Sequence, residues 1–238
     1  MRTVWVLFNM VFWTVILAGG GLILSIFEWK GKVLGQVAHI WSKLILAAAG
    51  IKYAVKGLNN IDPQKNYMFV GNHESALDIP LAFAGIKHHL VSVSKIELKW
   101  IPIFGWGMQA GKHIFVNRKD RNKAVRSLNH AAKSIESNPR SIMVFPEGTR
   151  SKDGKIHQFK KGGLLLAIKA QLPVVPVALC GTGDVVLKGS YKLESKPIVL
   201  MIGKPIETKG MTYDDRDALT NNVYKKVVQL KTDWEKNK

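Results

Sequence analysis

Tyr67-Met68-Phe69-Val70-Gly71-Asn72-His73-Glu74-Ser75-Ala76-Leu77-Asp78-Ile79-Pro80 passes from an apolar run into a polar loop and then into a helix start. Tyr67–Val70 reads as a strand. Ser75 and Asp78 stand at capping-box spacing and Pro80 suits a first turn, so a helix is predicted to begin within the stretch. Outward from it, strand-like runs recur at Leu90–Val93, His113–Val116, Ser141–Phe145, Val174–Leu179 and Ile198–Ile202. Helical spacing recurs between them, as Val125, Leu128, Ala132 and Ile135, and near the end as Leu219, Val223, Val227, Leu230 and Trp234. Strands alternating with helices predict an α/β domain, a mixed and largely parallel sheet flanked by helices, over residues 56–238. In such a domain the apolar runs build the core, and the loops at strand ends are the places for chemistry.

Residues 1–55 differ in kind. Thr3 to Phe27 contains no charge, whereas Arg2 precedes it and Glu28, Lys30 and Lys32 follow. At about 1.5 Å per residue such a helix matches a bilayer core of roughly 30 Å. The stretch is too long for a usual signal-peptide core, and no small-x-small cleavage site follows it. Gly19-Gly20-Gly21 permits a bend or the close packing of another helix. Val33 to Val55 reads as a second, amphipathic helix, with Val33, Val37, Ile40, Trp41, Leu44 and Ala48 on one face. The second helix either packs on the main domain or pairs with the first as a hairpin half sunk in one leaflet; residues 1–55 are expected to form a two-helix membrane-anchoring segment, either spanning the bilayer or lying in one leaflet. Residues 56–238 are expected to fold without it.

Composition narrows the partners. Of 238 residues, 47% are hydrophobic and 22% charged, which fits neither a disordered chain nor a polytopic membrane protein. The net charge of +18 calls for a polyanionic partner, whether nucleic acid, anionic membrane or phosphorylated substrate. The single cysteine, Cys180, excludes an intrachain disulfide framework and a cysteine-based zinc cluster. The histidines lack His-Glu-x-x-His or other ligand spacing, so no metal is expected.

The loop that opens the domain carries the candidate chemistry. A bend at the strand–helix junction can bring the Asp78 carboxylate to one ring nitrogen of His73. The carboxylate then fixes the tautomer and stabilises the imidazolium, and the other nitrogen takes a proton. This is the acid–base half of a hydrolase triad, and the nucleophile elbow Gly-x-Ser-x-Gly is absent from the chain. A substrate that brings its own hydroxyl supplies the missing nucleophile, which makes acyl transfer to an alcohol the matching reaction.

His73-x4-Asp78, followed by Phe145-Pro146-Glu147-Gly148-Thr149-Arg150-Ser151, resembles the glycerolipid acyltransferase family, in particular the 1-acyl-sn-glycerol-3-phosphate acyltransferases. Lys95-Ile96-Glu97-Leu98 with Ile101–Gly105, Ile114-Phe115-Val116-Asn117-Arg118 and Leu172–Val177 resemble its other blocks, in order. Asn117 departs from the Asp that many members place before the arginine. The resemblance implies His73 as general base and Asp78 as its orienting partner. It further implies Lys95, Arg118 and Arg150 as ligands of the acceptor's phosphate, with Glu147 and Gly148 shaping that pocket and Thr149 donating a further hydrogen bond. Guanidinium forks suit a phosphate monoester independently of any family. Glu147 is expected either to pair with Arg150 or to meet substrate.

The implied reaction esterifies the sn-2 hydroxyl of lysophosphatidic acid, giving phosphatidic acid in phospholipid biosynthesis. Acyl-CoA or acyl-carrier protein is the co-substrate, and no other cofactor is expected. Glycerol 3-phosphate or another lysophospholipid is the alternative acceptor, and a non-catalytic membrane lipid-binding protein the alternative class. No nucleic-acid-binding signature accompanies the charge. Beside an apolar anchor, the basic stretches Lys112–Arg126 and Lys152–Lys161 suit anionic head groups. The expected location is a membrane, the bacterial inner one, with the active site on the cytoplasmic face.

Overall fold

Seven strands form one sheet in the computed structural model, which describes residues 1–190 and 192–237. They are β1 (Tyr53–Lys56), β2 (Met68–Gly71), β3 (Leu90–Lys95), β4 (Ile114–Val116), β5 (Ser141–Val144), β6 (Val174–Cys180) and β7 (Ile198–Ile202). Their spatial order is β1-β7-β6-β2-β5-β3-β4. β6, β2, β5, β3 and β4 run parallel, with Phe69 of β2 opposite Met143 of β5 and Val175 of β6. β7 joins β6 antiparallel, Leu179 opposite Leu200, and β1 runs parallel to β7. Every residue of β2, β5 and β6 is buried, as expected of parallel strands covered on both faces.

The two-residue period of a strand divides the core. Phe69 points to the layer formed with α4 (Asp78–Gly85), through Leu81, Ala82 and Phe83. Met68 and Val70 point to the opposite layer. There they meet α6 (Arg121–Ser137), α7 (Leu165–Ala170) and α9 (Arg216–Lys236), through residues such as Ile135, Leu166 and Val223. The side chain of Asp120 caps α6 by accepting the Lys123 amide at 3.0 Å.

The N-terminal hairpin is present, with two corrections. α1 (Arg2–Trp13), a π-helical turn (Thr14–Ala18) and α2 (Gly19–Leu24) make one continuous helix, Arg2–Leu24. It is the only described helix long and apolar enough to cross a membrane. The second, α3 (Lys32–Ala48), is amphipathic and shorter than expected. It stops because Gly50 adopts a left-handed φ of +60°, while the Ile51 amide turns back to the Leu46 carbonyl at 2.9 Å. The chain then enters the sheet at Tyr53, so the expected boundary at 55/56 falls inside β1.

The hairpin is also less separable than expected. Gly21 lets the two helices close, since a Cβ there would overlap the Leu34 side chain. The Trp41 indole donates to the Thr14 hydroxyl at 3.0 Å across the pair. Ile45, Leu46 and Ala49 are 0–1% exposed, and Leu46 and Ala49 pack into the same layer as Phe69 and Leu81. Burying one large aliphatic side chain is worth about 1.5–3 kcal/mol, so α3 is part of the domain's own core.

Candidate active site

Parallel strands point their carboxyl ends to one edge of the sheet, the edge at which open α/β sheets hold ligands. His73 follows β2, Glu147 to Arg150 follow β5, Lys95 ends β3 and Arg118 follows β4. All eight residues singled out from the sequence gather along this edge, including Asp78 at the start of α4.

The bend after β2 closes the His73–Asp78 pair. Asp78 is fully buried, and its Oδ2 lies 2.7 Å from Nδ1 of His73. The same oxygen accepts the backbone amides of Glu74 at 2.7 Å and Ser75 at 2.8 Å. Oδ1 accepts the Thr182 hydroxyl at 2.5 Å. Only the Asp78 half of the anticipated capping box forms, since the Ser75 hydroxyl accepts from Leu77 and donates to the Val186 carbonyl. Nε2 of His73 makes no hydrogen bond among the described residues, and the imidazole stacks on Phe145 with ring centroids 4.2 Å apart. An imidazole held in this way keeps its outer nitrogen open to a proton.

Glu147 has a bracing role that neither expectation named. One oxygen accepts the His73 amide at 2.7 Å and the other the His157 amide at 3.1 Å. In return the His73 carbonyl accepts the Ser151 amide at 2.7 Å. Glu147 forms no ion pair with Arg150. Its burial pushes the carboxyl above the usual carboxylate range, against the pull of the two amides.

The cationic half is looser. Arg118 donates to the Gly148 carbonyl at 2.7 Å and towards the Val93 carbonyl at 3.4 Å. Gly148 holds a φ of +77°, which favours glycine there. Lys95 stands opposite Val116 in the sheet register, two residues before Arg118, and is exposed. The half-buried Arg150 side chain makes no hydrogen bond among the described residues.

Three contributors have no counterpart in the sequence reading. Lys188 donates to the Thr149 hydroxyl at 2.8 Å and the Arg150 carbonyl at 3.1 Å. Lys231 of α9 pairs with buried Glu74 and also donates to the Gly154 carbonyl at 2.8 Å. Desolvation nonetheless leaves the Glu74 carboxyl above its ordinary value. Thr182 is the third. Each lies over a hundred positions from the pair in the chain, and the one local signal was a hydroxyl two residues past a strand's end.

An apolar cleft opens between the hairpin and the sheet, lined by Ala18, Trp41, Ile79, Phe83, Met108 and His113. Ile79 is the immediate neighbour of Asp78. Burial pushes the His113 imidazole down to about 3, where it bonds to the Ser92 hydroxyl at 2.9 Å. α5 (Phe104–Ala110) lies against the first helix where Gly107 meets Ala18, and exposes Trp106 near exposed Trp100 and Ile101.

The acyltransferase family model matches residues 52–180, more than half of the chain. The chain is 31% identical over 174 residues to the 1-acyl-sn-glycerol-3-phosphate acyltransferase alpha of Homo sapiens, covering 73% of this chain and 62% of that protein. It is 31% identical over 186 residues to the 1-acyl-sn-glycerol-3-phosphate acyltransferase of Limnanthes douglasii, covering 78% of this chain and 66% of that one. The chain therefore spans somewhat under two thirds of these relatives' length. The crystal structure of the 1-acyl-sn-glycerophosphate acyltransferase of Thermotoga maritima superposes with a TM-score of 0.76 at 28% identity, over 97% of this chain and 98% of that one.

Proposed function

Since this chain belongs to the acyltransferase family, we propose that it transfers a fatty acyl group from a thioester to the sn-2 hydroxyl of lysophosphatidic acid, yielding phosphatidic acid. The observation that carries this reading is the 2.7 Å bond from His73 Nδ1 to buried Asp78, with Nε2 left open. Nε2 takes the hydroxyl proton as the oxygen attacks the thioester carbonyl. Asp78 stabilises the imidazolium through Nδ1. The tetrahedral intermediate then collapses, the carbon–sulfur bond breaks, and the imidazolium returns its proton to the departing thiolate. The reaction balances with the thioester alone, acyl-CoA or acyl-carrier protein, and calls for no further cofactor.

Lys95, Arg118 and Arg150 bind the acceptor's phosphate in this reading, with Gly148 and Thr149 shaping the loop and Glu147 bracing it. Arg118 already spends one nitrogen on Gly148, which aligns its fork. The cleft beside Ile79 takes an acyl chain. The first helix, exposed Trp100 and Trp106 and the neighbouring Lys99 seat the protein on a membrane. The first helix packs on α3 and α5, beside the sheet, which favours lying in one leaflet over a spanning helix that stands away from the domain. A bacterial inner membrane, with the site facing the cytoplasm, is the placement that accompanies this reading.

The test is turnover of the purified protein with lysophosphatidic acid, glycerol 3-phosphate and lysophosphatidylcholine, each offered with acyl-CoA and acyl-carrier protein. Phosphatidic acid from the first acceptor is expected with at least one donor. Acylation of glycerol 3-phosphate in preference to it would contradict the proposal.

A further inference from the structure

We infer that Thr182 is a positioning residue for the His73–Asp78 pair, which makes the strand-end turn after β6 a third member of the acid–base machinery. The inference rests on the acyl-transfer reading above. It begins from the division of labour between the two Asp78 oxygens. Oδ2 serves His73 and two backbone amides, whereas Oδ1 is held by the Thr182 hydroxyl alone among the described residues. Both side chains are fully buried, so no solvent stands ready to replace that donor.

The local fold aims the hydroxyl. Gly181 takes a φ of +77° directly after β6, and a Cβ there would approach the Pro197 carbonyl to 3.1 Å. This turn starts the short helix α8 (Thr182–Val185) over the His73 loop. The end of α8 is tied to the same loop a second time, since the Ser75 hydroxyl donates to the Val186 carbonyl at 2.7 Å. A carboxylate gripped at both oxygens cannot rotate about its own axis. Its Oδ2 therefore stays in line with Nδ1–H, and Nε2 stays aimed outward. Loss of the hydroxyl removes the only grip on Oδ1 among the described residues and leaves a buried acceptor unpaired, an outcome that costs more than the bond itself and loosens the alignment of Oδ2 with Nδ1–H.

Thr182→Val keeps the shape and removes the donor, and Thr182→Ser keeps the donor and removes a methyl group. Thr182→Val is expected to lower kcat about ten- to a hundredfold, the range for a hydrogen bond to a charged group, with KM for lysophosphatidic acid within about twofold. Thr182→Ser is expected to restore most of the turnover. A proton NMR spectrum supplies a readout independent of turnover. The downfield Nδ1–H signal, assigned by its loss in His73→Ala, is expected to persist in Thr182→Ser and to shift or broaden away in Thr182→Val. If Thr182→Val fails to fold, Thr182→Ala takes its place. A folded Thr182→Val protein with wild-type kcat and an unchanged Nδ1–H signal overturns the inference, as does a loss confined to KM. An unaltered pattern of NMR changes in a protein that does not acylate lysophosphatidic acid overturns the function reading and leaves the positioning role standing.

Discussion

The two halves of the site are built in opposite ways. At the His73–Asp78 half, a fully buried carboxylate receives four hydrogen bonds, three of them within a six-residue stretch of chain. At the cationic half, Lys95, Arg118 and Arg150 come from the ends of three different strands. Among the described residues only Arg118 of the three makes hydrogen bonds through its side chain. Burial and mutual bonding fix one geometry in advance, whereas exposed Lys95 and Arg118 and half-buried Arg150 keep freedom that the proposed phosphate would remove. The first half suits a step that tolerates little displacement. The second suits capture of a charged head group arriving along a membrane.

The largest effect expected from breaking this contrast is at His73. His73→Ala removes the proposed general base and should lower kcat about 10²–10⁴-fold in steady-state assays. Asp78→Asn should follow closely, because an amide can neither stabilise the imidazolium nor accept two backbone amides and Nδ1–H equally well. It should also lower the melting temperature, since the buried carboxylate holds the start of α4.

Arg150→Ala should act on the other half. A charge-assisted phosphate contact is worth about 1.5–3 kcal/mol, so kcat/KM for the acceptor should fall roughly ten- to a hundredfold, with KM for the donor little changed. Arg118→Ala sharpens the comparison. It removes a proposed phosphate ligand and frees the Gly148 carbonyl, so donor and acceptor parameters should both suffer.

What the sequence disclosed follows the same division. The strands from Leu90 to Ile202 were legible as apolar runs, each within two residues of its observed bounds. The His73–Asp78 pair was legible because both partners lie in one short loop. β1 was hidden because Tyr53–Lys56 continues the apolar character of the preceding helix, although Gly50 marked the stop. The link from Thr182 to Asp78 and that from Lys231 to Glu74 depend on which strands and helices lie side by side, a matter of topology that local spacing does not encode. Glu147 illustrates the point from the other direction. Its nearness to Arg150 in sequence suggested an ion pair, yet the fold gives its oxygens to backbone amides of the His73 loop and of His157 further along its own loop.

Truncation tests the hairpin, which differs from the domain as the two site halves differ from each other. Removal of residues 1–31 should release much of the protein from liposomes and leave a folded sheet. Removal of residues 1–55 also strips β1 and the buried Ile45, Leu46 and Ala49 from the core, so its product should melt earlier or aggregate. Equal melting temperatures for the two truncations would place α3 outside the core.

The smallest expected effect concerns a histidine of the opposite kind. His113 is held neutral by burial, with its folded value near 3 against about 6.5 when unfolded. Between these values the unfolded chain binds the extra proton, so stability falls as pH drops below about 6.5, by up to about 1.4 kcal/mol per pH unit. His113→Gln should flatten that part of the melting-temperature profile.

The separation of the two halves is tested most directly by the affinity of His73→Ala for lysophosphatidic acid, measured at equilibrium without an acyl donor. If the dyad performs proton transfer and the cations hold the phosphate, the dissociation constant stays within about threefold of wild type while turnover is lost. A dissociation constant that rises in step with the loss of turnover would contradict the account, because His73 would then be part of the acceptor's grip.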